Sequence, residues 1–429
     1  MLQQRFFSAL SHHLCPKLET HLILRHISSF ETDLDRWQRR CERLTQLQRR
    51  ICFPPLDAIT VNGEDIKLPL LAVEPTRTPS QQELEYLVGF FDGDGCVTLS
   101  RRTGAVQLAI SQNIDSAEVL LRFRSMLGGS ISRHSASTGS RKAALQWRVY
   151  GSKMIAAAET LSRVPSMKQA QLLMATKGCF AETDRASVME DLQMLKGSQH
   201  VPEQWNQCSW PYFAGLFDAD GCITVRPSSA GLRLSLEQVN PCVLEHLLRF
   251  LHENQLRTWS LYRRASCSSL ACTNRQDCKQ TLERVLANGL LAKRQQAELG
   301  LTLTGDNRLQ IRDAISSLHG WQSRYRRLDS AGIVRAQEIH RSYQRLRRLS
   351  GPEHASMLSQ IEELRAKHIL QKLISRCDLL RKDMRQSLRE GGQVASSTTT
   401  SVGTTSGMCS SSRYPCSPAK WTDAWQSTA

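Results

Sequence analysis

Apolar positions in the stretch "YLVGFFDGDGCVTL", residues 86–99, follow a helical period as far as two aspartates and then alternate with polar positions. This change of period predicts a helix that ends near Asp94, followed at once by a β-strand. The chain repeats the pattern in "YFAGLFDADGCITV", residues 212–225, and eight positions coincide at a single offset of 126 residues. Solenoid repeats are far shorter, at roughly 20–50 residues. The sequence therefore predicts a duplication in which each copy forms half of a globular unit.

Capping signals mark the ends of both predicted helices. Thr78, Pro79 and Gln81 supply an N-cap, a proline at the first helical position and a capping-box glutamine in the first copy. Ser209 and Pro211 give a looser version of the same start in the second copy. The glycines expected at the C′ positions that end the two helices are Gly95 and Gly221.

Small residues four positions apart lie on one face of each predicted helix. They are Gly89 and Gly93 in the first copy, and Gly215 and Ala219 in the second. Side chains this small let two helix backbones approach more closely than the usual 8–10 Å. We therefore expect the two copies to pack against each other through these faces, about a pseudo-twofold axis.

Such packing would bring the last residues of the two helices, Asp94 and Asp220, close together. Each carboxylate would stand at the negative end of a helix dipole, so the pair would repel and retain a proton unless a cation lies between them. A hard divalent cation with oxygen ligands, Mg²⁺, is the predicted partner. A turn with capping aspartates is the alternative for either copy alone. Two copies with matched caps, small faces and strands favour the metal site.

The strings "LVGFFDGDG" and "FAGLFDADG" resemble the defining helix of the LAGLIDADG homing endonucleases of the single-chain, two-motif type. The resemblance covers about residues 81–304. It implies an α+β fold of two pseudo-symmetric αββαββα halves, packed through these helices, with antiparallel sheets facing DNA. The helical extensions predicted at both termini lie outside the family pattern. It further implies that Asp94 and Asp220 are metal-binding catalytic carboxylates, and that Asp92 and Asp218 are structural.

The activity that the resemblance implies is site-specific cleavage of double-stranded DNA. A staggered double-strand break would arise from metal-dependent phosphodiester hydrolysis, with one reaction on each strand. Because both motifs lie in one chain, a monomer is expected.

Two further pairs of polar residues recur at matching positions. Gln112 and Gln238 each end a predicted strand 18 residues after the second aspartate of their motif. Lys168 and Lys293 each open a predicted helix, 74 and 73 residues after it. The resemblance implies that these four residues contact the water network around the scissile phosphates and so take part in catalysis. A lysine that begins a solvated helix and a polar strand end are the alternative interpretations.

Arginines in or beside the predicted hairpins are the expected DNA-binding residues, because arginine contacts guanine edges and phosphates. They are Arg101, Arg102, Arg133, Arg141, Arg148, Arg226, Arg233, Arg263 and Arg264. Strand parity alone does not decide which of them face DNA, since a register error of one residue reverses every assignment. The second hairpins of the two copies differ in sequence, which predicts a long, asymmetric target.

Composition supports a polyanionic partner and adds few other constraints. The 56 basic and 40 acidic residues give a net charge of +16. No apolar run approaches the roughly 18 residues that span a bilayer, so no membrane partner is expected. The 14 cysteines lack CxxC pairs and zinc-site spacing, which predicts reduced thiols in an intracellular compartment.

Composition shifts along the chain predict six segments. They are an N-terminal extension with a transit-peptide-like start and a helix (1–78), the first half (79–185), a linker (186–206), the second half (207–305), a basic helical extension (306–390) and a disordered tail (391–429). The basic, acid-poor start resembles an organelle transit peptide, which indicates a mitochondrion or chloroplast. An ordinary first helix is the alternative.

Other functions remain open on the same scaffold. One is a nucleic-acid-binding protein that does not cut, such as an RNA maturase that assists splicing of organellar introns and takes intron RNA as its partner. Another is a degenerate endonuclease whose active site survives without a use. Loss of Asp94 and Asp220 would have favoured the protein that does not cut, but both are present. The transit-like start and the two extensions keep that function open.

Overall fold

The computed structural model of the protein describes residues 17–139, 141–197, 208–226, 230–264, 267–318, 325 and 327–394. Contacts divide the chain into two compact units, which we call the helical unit (17–51 and 325–390) and the α+β unit (52–318 and 391–394). The predicted α+β fold class is confirmed, because helices and antiparallel sheets both build the larger unit.

The elements follow one another in a regular order along the chain. The helices are α1 (Lys17–Arg49), α2 (Gln81–Asp94), α3 (Ala117–Leu127), α4 (Ser152–Ser162), α5 (Gln169–Ala175), α6 (Arg185–Gly197), α7 (Trp210–Asp220), α8 (Pro241–Glu253), α9 (Arg275–Ala287), α10 (Arg294–Leu301), α11 (Arg308–Leu318), α12 (Ser330–Leu346) and α13 (Gly351–Arg389). The strands are β1 (Ile51–Cys52), β2 (Ala58–Val61), β3 (Glu64–Lys67), β4 (Leu70–Val73), β5 (Gly95–Leu99), β6 (Val106–Asn113), β7 (Gly129–Ser135), β8 (Ala144–Tyr150), β9 (Gly221–Val225), β10 (Leu232–Gln238), β11 (Ser260–Arg263), β12 (Ser268–Cys272) and β13 (Gln393–Val394).

The α+β unit consists of two halves that repeat one order of elements. In the first half, α2 leads to β5, β6, α3, β7 and β8, and then to α4, α5 and α6. In the second half, α7 leads to β9, β10, α8, β11 and β12, and then to α9, α10 and α11. Three helices thus occupy the last helical position of the expected αββαββα order. The sheets run β4-β7-β8-β6-β5 and β11-β12-β10-β9, with every pair antiparallel.

Two segments that the sequence assigned to a linker and to the basic extension belong to the packed halves. The linker predicted over 186–206 carries α6, which contacts β5. Helix α11, predicted to start the basic extension, packs on β9 of the second half. Its apolar positions Ile311 and Ile315, one helical turn apart, are buried. A short amphipathic helix of this kind resembles a solvated extension in sequence, because only one narrow face is apolar.

The segment before α2, which the sequence assigned to the N-terminal extension, contains the three strands β2, β3 and β4. Strands β2 and β3 form a hairpin around Asn62 and Gly63, whose φ angles of +52° and +83° fit a type I′ turn. The Asn-Gly pair between alternating residues was the sequence signal for this hairpin. Strand β4 then pairs with β7 and gives the first sheet a fifth strand that the second sheet lacks.

Helices α2 and α7 pack side by side with almost no space between their backbones. A Cβ added at Gly89 would lie 2.1 Å from the carbonyl oxygen of Tyr212, and one at Gly215 would lie 2.0 Å from that of Tyr86. A Cβ added at Gly93 would lie 2.3 Å from the Cβ of Ala219. The structure therefore brings together the two small faces that the sequence predicts.

The N-terminus of α2 differs by two residues from the predicted start. Ser80, rather than Thr78, is the N-cap, and its hydroxyl accepts from the Glu83 amide at 3.4 Å. The Glu83 carboxylate completes the capping box by accepting from the Ser80 amide at 3.0 Å, and it also pairs with Arg77. In α7, Ser209 is the N-cap, as predicted, and accepts from the amide of Tyr212.

The C-terminal glycines end both helices without a left-handed residue. Gly95 has φ −73° and Gly221 has φ −70°, so each helix passes directly into an extended strand. A Cβ at Gly95 would lie 2.3 Å from the ring of Phe91, and Phe217 crowds Gly221 in the same way. The interpretation of these residues as C′ glycines was therefore wrong, because close packing rather than a positive φ requires them.

The helical unit is built from α1, α12 and α13. Helix α13 contacts both α1 and α12, and the thiols of Cys41 and Cys377 are buried where α1 and α13 meet. Asp383 accepts from the hydroxyl of Tyr325 at 2.7 Å. In the described residues, no helix has the length and hydropathy needed to cross a membrane. The transit-like start (1–16) and the tail beyond 394 lie outside the described residues.

Replacing Gly89 or Gly215 by alanine should destabilise the α+β unit. Each new methyl group would collide with a backbone carbonyl of the facing helix, so the helices must separate. Overpacking typically costs about 1–3 kcal/mol, and a backbone obstacle places these sites at the upper end. Urea unfolding measures the loss. Gly305→Ala is the control, because no atom lies within 4 Å of its added Cβ. A Gly89→Ala protein as stable as the control would contradict the close packing.

Candidate active site

The second aspartates of the two motifs meet where α2 and α7 end. A Cβ added at Gly93 would lie 2.9 Å from a carboxylate oxygen of Asp220, so that carboxylate lies against the residue before Asp94. Gln112 donates from Nε2 to Asp94 at 2.6 Å, and Gln238 donates to Asp220 at 2.5 Å. The structure thus gathers both aspartates and both strand-end glutamines into one cluster.

The electrostatics of this cluster favour a bound cation or proton. Burial, followed by the negative charge of Asp94, raises the pKa of Asp220 to about 7, against the opposing charges of Lys168 and Lys293. A carboxyl group with an ordinary pKa of about 3.9 is fully ionised at neutral pH. Here, two facing carboxylates are both ionised only at a substantial cost, which a cation between them would remove.

The lysines lie at the carbonyl ends of the motif helices. The ammonium of Lys168 donates to the carbonyl oxygens of Phe91 at 2.8 Å and Gly95 at 2.6 Å, and that of Lys293 donates to the carbonyl oxygens of Asp218 and Ala219. Burial lowers the pKa of Lys168, and nearby carboxylates oppose this shift. The alternative of a solvated helix start was wrong for both lysines, because each side chain turns inward to the negative end of a helix dipole.

Asp92 forms the hydrogen bonds of a structural residue, as the sequence analysis expects. It is buried, with 3% exposure, and accepts from the amides of Met167 at 2.9 Å and Lys168 at 3.0 Å. The hydroxyl of Tyr212, on the other motif helix, donates to it at 2.7 Å. Burial raises the pKa of Asp92, against the charge of Lys168 and these hydrogen bonds.

Asp218 repeats this arrangement in the second half. It accepts from the amides of Leu291 at 2.5 Å, Ala292 at 3.1 Å and Lys293 at 2.8 Å, which precede α10. The hydroxyl of Tyr86 donates to it at 2.7 Å. Sequence reasoning missed these two tyrosine contacts, although the coincidence of the tyrosines in the two copies was a visible signal.

The donor set at the helix tips fits Mg²⁺. This ion prefers oxygen ligands and typically binds through one or two carboxylates while it retains several waters. Asp94 and Asp220 supply two carboxylates, and the pKa of Asp220 shows that they repel each other. Within the described part of the chain, no group of three or more His, Cys, Asp and Glu side chains is arranged to hold a metal ion. Further ligands would come from water, from a substrate or from carbonyl oxygens.

Each sheet has one apolar face against helices and one polar face away from them. In the first sheet, the apolar face contains Trp147 and Val149 and contacts α3 and α4. In the second sheet, it contains Leu232 and Leu234 and contacts α8 and α9. Because successive side chains of a strand alternate between faces, Arg148 lies on the opposite face of the first sheet. We call these two opposite faces the open faces.

The predicted DNA-binding arginines occupy three different environments. On the open faces lie Arg148 and Arg233, together with Arg264, which pairs with Glu237 at 3.6 Å. Connections between strands hold Arg101, Arg102, Arg141 and Arg226. Arg133 and Arg263 have the parity of the apolar faces and form ion pairs with Asp57 and Glu245. The prediction that these last two face DNA therefore disagrees with the register of their strands.

Comparisons with known proteins found similarity only among solved structures. No protein-family model and no curated protein matches the chain. Among solved structures, the LAGLIDADG meganuclease I-AabMI bound to uncleaved DNA shares 16% identity over 55% of this chain and 99% of that chain, with a TM-score of 0.41. The I-LtrWI homing endonuclease bound to target DNA shares 12% over 55% and 95%, with a TM-score of 0.39. I-GzeII in complex with its DNA target shares 11% over 65% and 97%, with a TM-score of 0.37. These structures belong to the family that the two motifs resemble.

The raised pKa of Asp220 predicts how stability depends on pH without metal. The folded chain binds this proton more tightly than the unfolded chain, so the stabilisation is complete below about pH 4 and is lost as pH rises through about 7. In the presence of a chelator, we expect the free energy of unfolding to fall between about pH 5 and about pH 8. Added Mg²⁺ should restore it at the upper pH. Thermal unfolding across this range measures both effects.

Asp94→Asn should weaken both the loss of stability with rising pH and its recovery with Mg²⁺, because it removes the charge that helps raise the pKa of Asp220. Asp306→Asn, at an exposed position, is the matched control and should behave as the wild type. Equal pH profiles for wild type and Asp94→Asn, with no response to Mg²⁺, would contradict the paired-carboxylate site.

Proposed function

We propose that the protein is a site-specific DNA endonuclease of the LAGLIDADG homing type. It makes a staggered double-strand break by metal-dependent phosphodiester hydrolysis. The observation that carries the proposal is the meeting of Asp94 and Asp220 at the tips of two packed helices, where burial and then the charge of Asp94 raise the pKa of Asp220. Two pseudo-symmetric halves match the two strands of a duplex, with one acidic tip for each strand.

The chain's own residues supply most of the chemistry. When bound between Asp94 and Asp220, Mg²⁺ would make a water more acidic and neutralise the leaving oxygen. Gln112 and Gln238 hold the two carboxylates in place through the amide hydrogen bonds described above. Their remaining hydrogen-bonding capacity is available to waters around the scissile phosphates.

The lysines add positive charge beside the reacting phosphates. Lys168 and Lys293 lie on the carbonyl ends of α2 and α7, within the electrostatic reach of the paired carboxylates. As negative charge grows on the phosphate in the transition state, a fixed ammonium in a partly buried site stabilises it more than the ground state. A shift of either ammonium away from its helix end would therefore slow cleavage.

The open faces of the two sheets are the proposed DNA-binding surface. Arg148 lies on β8 and Arg233 on β10, and each of these strands is paired on both sides within its sheet. The halves differ in their outer hairpins, and the first sheet has one strand more, so the proposed target is long and asymmetric. One chain supplies both halves, which supports action as a monomer.

The second candidate is a nucleic-acid-binding protein that does not cut, such as an RNA maturase for organellar introns with intron RNA as its partner. The observation that favours it is the helical unit of α1, α12 and α13, which the cleavage chemistry does not use. Location in a mitochondrion or chloroplast fits either candidate and is a proposal that rests on the transit-like start.

Cleavage of a randomised duplex library in Mg²⁺ tests the proposed activity. The wild-type protein should release staggered ends from a small set of related sequences, detected by sequencing the broken molecules. Asp94→Asn combined with Asp220→Asn should reduce cleavage by at least about a thousandfold, because the cation site is lost.

Two outcomes would contradict this proposal. Breaks that persist in the double variant would trace the activity to a contaminant. Tight binding of structured RNA by a wild-type protein that leaves all duplexes intact would favour the maturase instead.

Replacing Arg148 and Arg233 by glutamine should weaken binding of duplex DNA. The slope of log affinity against log salt should fall by about 0.9 for each phosphate that the variant no longer neutralises. The matched control replaces Arg133 and Arg263, which lie on the other faces in exposed ion pairs. Titrations at several salt concentrations distinguish the two double variants. An equal loss of affinity in both would mean that the open faces do not bind the DNA.

A further inference from the structure

Two buried tyrosine hydroxyls cross the interface between the motif helices. Tyr86 of α2 donates to Asp218 of α7, and Tyr212 of α7 donates to Asp92 of α2, each at 2.7 Å. The exposed fractions of the two tyrosines are only 1% and 2%. Burial and the facing carboxylate raise the pKa of both phenols well above the usual value, so each hydroxyl remains a donor.

Asp92, which accepts from the Tyr212 hydroxyl, also fixes the start of α5, the helix that Lys168 precedes. Asp92 accepts from the amides of Met167 and Lys168, just before α5. The Lys168 side chain then reaches back to the carbonyl oxygen of Gly95, the residue that follows Asp94. A continuous chain of hydrogen bonds therefore leads from a tyrosine of the second half to the lysine of the first.

The same chain runs in the opposite direction from Tyr86. Its acceptor, Asp218, holds the amides of Leu291, Ala292 and Lys293 before α10. The Lys293 ammonium returns to the carbonyl oxygens at the end of α7, next to Asp220. Each motif helix thus supports the lysine of the opposite half.

We propose that Tyr86 and Tyr212 are positioning residues that act across the interface, with Tyr212 orienting Lys168 and Tyr86 orienting Lys293. The inference goes beyond the proposed function and rests on it for its catalytic consequence. Removal of one hydroxyl should disturb the reaction on the strand served by the other half. The motif helices would then couple the two strand cleavages as well as hold the halves together.

The two tyrosines should not be equally important. Without Tyr212, Asp92 retains two amide donors, whereas without Tyr86, Asp218 retains three. A carboxylate with fewer remaining donors is less firmly oriented. We therefore expect Tyr212→Phe to have the larger effect.

Hydrogen exchange of the full-length, metal-free protein tests the positioning directly. Tyr212→Phe should speed exchange of the Met167 and Lys168 amides by about tenfold, as expected from the loss of one hydrogen bond to their acceptor. It should leave the amides at 291–293 unchanged, and Tyr86→Phe should give the reverse pattern. The two variants control for each other, because each removes one buried hydroxyl from the same helix pair. Faster exchange at both sites in both variants would indicate simple destabilisation and overturn the proposal.

Strand-resolved cleavage tests the catalytic consequence. A duplex recovered from the library as a wild-type substrate is labelled at one end of each strand, and both nicking rates are measured. Lys168→Met and Lys293→Met identify the strand that each lysine serves. Tyr212→Phe should slow the Lys168 strand by about tenfold, and Tyr86→Phe should slow the Lys293 strand by less.

Three other outcomes are informative. Equal slowing of both strands, or a tyrosine that slows the strand of its own half, would overturn the proposal. If the wild-type protein cuts no duplex, the proposed function fails. The exchange pattern alone then decides whether the tyrosines position the opposite lysines.

Discussion

The close approach of two helix backbones is the constraint on which the rest of the structure depends. At Gly89 and at Gly215, a backbone carbonyl of the facing helix lies at the position that a Cβ would occupy. This spacing forces Asp94 and Asp220 together at one end of the pair. It also brings each motif tyrosine within hydrogen-bonding distance of the opposite helix. Packing and electrostatics at the site are therefore two results of the same contact.

Chemically identical side chains two residues apart have different environments in each motif. Asp92 and Asp218 are surrounded by backbone amides and a tyrosine hydroxyl, which satisfy their oxygens inside the protein. Asp220 accepts a hydrogen bond from the side-chain amide of Gln238, but it also faces Asp94. A satisfied carboxylate stabilises the fold, whereas a carboxylate that faces another retains affinity for a cation. The difference in partners fits the structural role of the first aspartates and the catalytic role of the second that the family resemblance implies.

The duplication allowed much of the site to be predicted from sequence. Because Gln112 and Gln238, and likewise Lys168 and Lys293, recur at matched distances from the aspartates, chance was a poor explanation for them. The structure places all four beside the helix tips. The transition from helix to strand was also predictable, because the period of apolar positions changes sharply at Asp94 and Asp220. The full order of elements in each half was implied by the family resemblance.

Features that depend on long-range contacts could not be predicted in the same way. Arg133 and Arg148 lie on adjacent strands, yet only the pairing register shows that they face opposite sides. The N-cap of α2 is Ser80 and not the predicted Thr78, because Glu83, which also pairs with Arg77, completes a capping box with Ser80. The crossing tyrosines were visible as repeated letters, but their acceptors lie more than a hundred residues away.

The fifth strand of the first sheet bears on how the chain can be shortened. The sequence places the start of the first half at residue 79. Strand β4 precedes that residue, yet it pairs with β7 and covers the edge of that strand. Trimming the chain at residue 79 would uncover the unpaired amides and carbonyls of that edge, which readily recruit a strand from another molecule. A shortened chain that stays soluble should therefore begin ahead of Ala58, so that β4 and the hairpin before it are retained.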